Sequence, residues 1–141
     1  MSPSADREGE GEGEGEGEGA GEASVSPCSR LYTTGISSGG FMTSRMAVSY
    51  PGLFRAIAIH SAGFATCSAV CVLPTSLPDD HPPTLFVHGA LDLVVTTPIM
   101  TMYRDALADD AVDVDAVVVD DGAHEWLAEA ATAIPDWFVR H

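Results

Sequence analysis

Four β-favouring runs, at residues 31–34, 56–59, 84–88 and 112–119, alternate with segments of helical pattern. This alternation restricts the fold more than any other feature. Short, continuously apolar strands separated by helices imply an α/β architecture: a mostly parallel sheet of about four strands, covered on both faces. Residues 41–50 lack Gly and Pro and place Met42, Met46 and Ser49 along one side, with Phe41 and Val48 beside them. They predict a helix with that side largely buried, ended by Pro51-Gly52. Thr97 is the expected N-cap of a helix over 98–107, with Pro98 at its first position. Thr132 is the expected cap of a short last helix through Trp137, Phe138 and Val139.

The first two dozen residues do not fit this pattern. Glu8 to Glu18 alternates strictly with glycine, so nothing there can bury enough apolar surface to offset the entropy of ordering. Residues 1–27 are therefore expected to form a disordered tail, and 28–141 the single folded unit. Of the net charge of −15, the eight acids and one base of residues 1–24 supply −7, leaving −8 on the rest. Both parts are acidic and the chain has no lysine. A nucleic-acid partner is not expected and a polybasic membrane anchor is excluded, because both need clustered cations. No apolar run is long enough to span a membrane, and the N-terminus shows no basic-then-apolar signal pattern. Cys67 and Cys71 lie four apart in a loop-like stretch, and Cys28 stands alone. A local disulfide and three reduced thiols are both open readings. Zinc lacks a second Cys or His pair at ligand spacing.

Three strand ends carry reactive side chains. Gly35-Ile36-Ser37-Ser38-Gly39 lies between a strand and a helix, where small residues at Gly35 and Gly39 permit a sharp turn that lifts a serine hydroxyl clear of the sheet. Asp92 follows the run ending at His88, and His124 follows the run ending at Val119. Groups just past the carboxyl ends of parallel strands face a ligand crevice. A histidine there can accept the proton of Ser37 while Asp92 holds its other ring nitrogen. The order Ser, Asp, His is that of the α/β-hydrolases. His60, His81, His88 and His141 are weaker candidates for the base. His124-Glu125 also starts a zinc-protease H-E-x-x-H, but position 128 is Ala, so that reading fails.

Residues Arg30 to Met42 resemble the nucleophile elbow of the esterase family that contains polyhydroxybutyrate depolymerases and feruloyl or acetylxylan esterases. Tyr50-Pro51-Gly52-Leu53-Phe54-Arg55-Ala56 is similar to that family's following helix end, His88-Gly89 to Asp92 with Val94 and Val95 to its acid turn, and Gly122 to Trp126 to its histidine loop. Ala131-Thr132 to Trp137-Phe138 resembles its final helix. The resemblance implies ester hydrolysis through an acyl-enzyme, with Ser37 as nucleophile, Asp92 as acid, His124 as base and the Ser38 N–H as one oxyanion donor. It implies an ester substrate (a polyester, or an aryl or acetyl ester), no cofactor and no metal. It also suggests a secreted or periplasmic location. The family places several strands, and the loop with the second oxyanion donor, before the elbow. The expectation is therefore a partial α/β-hydrolase, the C-terminal portion of the domain, with the run at 31–34 as an open sheet edge prone to self-association. The alternative expectation is a non-catalytic esterase fragment that serves as an interaction module.

Overall fold

The computed structural model describes residues 30–65 and 72–141. The expected tail at 1–27, Cys28 and the Cys67–Cys71 pair lie outside the described residues. The strands β1 (Tyr32–Ile36), β2 (Ala56–His60), β3 (Thr84–Gly89) and β4 (Val114–Val119) form one parallel sheet in the order β1-β2-β3-β4. The helices are α1 (Ser38–Ser49), α2 (Thr97–Asp109) and α3 (Ala130–Arg140).

Side chains alternate across a strand, so each strand feeds two cores. Ile57, Ile59 and Phe86 point to one face, where they meet Ala47 of α1 and Met100, Tyr103 and Leu107 of α2. Ala56, Ala58, Leu85 and Val87 point to the other, against Leu127 and against Ile134 and Trp137 of α3. Helices on both sides bury β2 and β3 along their whole lengths. Among the described residues, β1 and β4 pair on one side only, and they stay partly exposed.

Three local expectations need correction. The buried face of α1 is Gly40, Thr43, Ser44 and Ala47, whereas Met42 is 60% exposed. The reason is close approach: a Cβ on Gly40 would come within 2.7 Å of the Ala62 Cβ. Only small side chains fit there. Thr43 and Ser44 hydroxyls satisfy themselves by donating to the Gly39 and Phe41 carbonyls, at 2.9 and 2.7 Å. Helix α2 starts one residue early, with Thr97 inside it and Thr96 as an extended N-cap that makes no side-chain cap bond. Helix α3 begins at Ala130, so Thr132 lies within its first turn and caps nothing. The helix continues through Pro135, and its buried side is Ala130, Ile134 and Trp137. This stripe at positions i, i+4 and i+7 anchors it against the sheet.

Candidate functional site

Each strand hands its exit to a neighbour. The Ser37 N–H bonds the His60 carbonyl at 2.9 Å, the Ser61 N–H bonds Val87 at 2.9 Å, and the Ala90 N–H bonds Val119 at 2.8 Å. These steps set the loops after β1, β3 and β4 side by side at one end of the sheet.

At the first loop Ser37 takes φ 53° and ψ −118°, a region that side-chain-bearing residues rarely adopt. The turn is tight enough that a Cβ on Gly35 would lie 2.4 Å from the Gly39 carbonyl carbon. Glycine is therefore required at 35. The Cβ direction of Gly39 itself meets nothing within 4 Å. The crowding expected at both glycines of the motif falls on Gly35 and Gly40 instead. Ser38 opens α1, so its N–H has no acceptor within the helix and lies at the positive end of the helix dipole.

The loops after β3 and β4 are zipped together. A Cβ on Gly89 would lie 2.4 Å from the Gly122 oxygen, and the Leu91 N–H donates to that oxygen at 2.8 Å. This contact holds Asp92 beside His124. Asp92 is 3% exposed. Its Oδ1 accepts from the N–H groups of Val94 and Val95 at 2.9 and 2.8 Å, and its Oδ2 meets His124 Nδ1 at 2.8 Å. A carboxylate can only accept, so His124 carries its proton on Nδ1. That leaves Nε2 to accept from the Ser37 hydroxyl at 3.0 Å. Burial pushes the Asp92 carboxyl up, but the bonds from His124, Val95 and Val94 outweigh it and hold the group below its ordinary value.

The other histidines do not join this relay. His60 packs its ring 4.9 Å from that of Trp126. His81 bonds the Tyr103 hydroxyl at 2.6 Å in the core, and His141 lies 3.5 Å from Asp113. His88 Nε2 bonds the Val95 carbonyl at 2.8 Å. Burial lowers His60, His81 and His88 below the usual imidazole range, so all three stay neutral near pH 7. The bond from His88 into the acid turn was not anticipated from the sequence, because its acceptor is a backbone carbonyl that no residue type marks.

Among the described residues, no group of three or more His, Cys, Asp or Glu is placed to hold a metal. No described helix is long and apolar enough to cross a membrane. Two surface cavities of about 390 and 370 Å³ are lined by other residues, the first by Arg30, Tyr32, Arg55 and Phe138 and the second by Phe64 and Leu73 among others. The Ser37 site is separate from both.

The chain is 50% identical over 113 residues to a poly(3-hydroxyoctanoate) depolymerase of Pseudomonas fluorescens, a match that covers 79% of this chain and 41% of the relative. It is 49% identical over 41 residues to feruloyl esterase B of Thermothelomyces thermophilus, covering 29% and 14%. Among solved structures, SOBER1 of Arabidopsis thaliana superposes with a TM-score of 0.65 at 21% identity, over 77% of this chain and 51% of that one. The Bacillus cereus carboxylesterase gives 0.64 at 11% identity, over 78% and 49%. These structural likenesses show the fold. The chain spans about half the length or less of these relatives and structures. No protein-family model matches it.

Proposed function

This chain has the α/β-hydrolase fold and is related to the depolymerase and feruloyl-esterase family, and we propose that it is a serine carboxylic-ester hydrolase. The observation that carries the reading is the relay Ser37 Oγ to His124 Nε2 at 3.0 Å and His124 Nδ1 to Asp92 Oδ2 at 2.8 Å, begun on a residue with φ 53°.

In this mechanism His124 Nε2 takes the hydroxyl proton as Ser37 Oγ attacks the ester carbonyl carbon. Negative charge moves to the carbonyl oxygen, where the Ser38 N–H stabilises it. Asp92 holds the imidazolium. Collapse breaks the bond to the alcohol, which leaves with the proton from His124. Water then attacks the acyl-enzyme, again giving its proton to His124, and the acid departs as Ser37 regains its hydrogen. No cofactor enters the sequence. The names of the two relatives point to a polyester or an aryl ester as substrate. Leu93 and Trp126, beside the acid and the base, are 89% and 57% exposed and suit an apolar substrate.

The test is labelling with a fluorescent fluorophosphonate beside a Ser37→Ala control. Labelling confined to the parent chain supports the reading, and no labelling in either refutes it. The second reading, an interaction module, rests on β1, whose outer edge has no paired strand among the described residues. Sedimentation at increasing concentration tests it: a chain that stays monomeric lacks the self-association this edge invites.

A further inference from the structure

His88 is fully buried at the end of β3, outside the relay, yet it reaches into the turn that holds Asp92. A carbonyl only accepts, so the 2.8 Å contact with Val95 O places a proton on His88 Nε2. Val95 is thereby held on both sides: its carbonyl by His88, and its N–H by Asp92 Oδ1 at 2.8 Å. The same Nε2 lies 3.8 Å from Asp92 Oδ2, the oxygen that meets His124. His88 Nδ1 has no hydrogen-bond partner among the described residues.

We propose that His88 is a positioning residue: its bond to the Val95 carbonyl fixes the turn whose Val94 and Val95 amides aim Asp92 at His124. This rests on the reading of Asp92 and His124 as acid and base. The imidazole acts as a neutral strut. The titratable groups around it are Asp92 in its own turn, His124 in the next loop and His60 on β2. A second proton would have to sit on Nδ1, where no described acceptor waits.

The test uses the full chain and the rate of fluorophosphonate labelling at Ser37, followed from about pH 5 to about pH 9. Circular dichroism checks that each variant folds. His88→Leu removes the donor, and a misaligned acid should slow labelling roughly 10–100-fold. It should also move the acid limb of the profile to lower pH, because a less well held Asp92 supports the His124 proton less. His88→Gln keeps an N–H near the Nε2 position and should restore both rate and profile. Wild-type labelling by a folded His88→Leu would overturn the proposal, as would a folded His88→Gln as slow as the leucine variant. Should the variants fail to fold, or the parent chain fail to label, nitrogen-15 NMR of the parent's imidazoles still decides. A neutral Nε2–H tautomer for His88 supports the strut, and an Nδ1–H tautomer or a charged ring at pH 7 overturns it. Absence of labelling in the parent counts against the esterase reading, separately from this result.

Discussion

Ser37 stands on the exit of β1, which does not pair with β3 or β4, whereas Asp92 and His124 stand on the exits of β3 and β4, which pair with each other. The first position is defined by sterics. A positive φ at Ser37, the missing Cβ of Gly35 and the tight seat of Gly40 force the turn. The second shares one such close approach, Gly89 against Gly122, but depends mainly on hydrogen bonds: three reach the Asp92 carboxylate, and a backbone bond joins the loops at Gly122. One end of the site therefore tolerates no added volume at Gly35 or Gly40. The other tolerates no lost donor or acceptor.

The comparison can be broken at the acid–base end first. Asp92→Asn preserves shape but removes the charge and the preference for the Nδ1–H tautomer of His124. Ester hydrolysis should fall on the order of 10⁴-fold, measured as kcat/KM. A variant within tenfold of the parent would show that the hydrogen bonds there do not govern activity.

At the nucleophile end, Gly35→Ala should cost about 2–4 kcal/mol in urea unfolding, because its methyl meets backbone that cannot move aside. Gly39→Ala should instead be neutral, or stabilise by about 0.5–1 kcal/mol, since its Cβ enters open space on a helix. Equal effects at the two glycines would contradict the steric account.

Acidification tests the buried imidazoles. His60, His81 and His88 have folded values below the ordinary 6.5, so they bind fewer protons folded than unfolded. Their contribution is complete above pH 6.5 and is lost as pH falls through their lowered folded values. Asp92, also lowered, acts in the same direction below its ordinary 3.8. The urea midpoint should decline as pH drops below 6.5, and a flat profile down to the carboxylate range would refute this.

A modest loss of stability is expected at Tyr103→Phe. It leaves His81 Nε2 without its donor in the core and should cost about 1–2 kcal/mol, read from the same unfolding curves. A neutral outcome would mean that this core bond, unlike those at Asp92, contributes little.

Strand positions, chain order and the places of Ser37, Asp92 and His124 just past strand ends could be read locally. Each strand is a short apolar run, and each site residue follows a strand end at a turn of small or polar residues. The buried side of α1 could not be read so. Hydrophobicity favours Met42 and Met46, yet the close approach of Gly40 to Ala62 goes with an inward face of Gly40, Thr43, Ser44 and Ala47. The caps of α2 and α3 were misplaced because neither helix uses a side-chain cap, and α3 is held by its stripe against the sheet.

The sequence by itself determined the α/β alternation and the order of serine, acid and histidine, because periodicity and turn chemistry act over a few residues. Only the tertiary structure decided that Gly35 and Gly40, not Gly39, are sterically required, that α1 turns its small side chains inward, and that His88 grips the acid turn. Those outcomes depend on how closely loops and helices approach one another in space, which strand register and packing set and the local pattern of hydrophobicity does not.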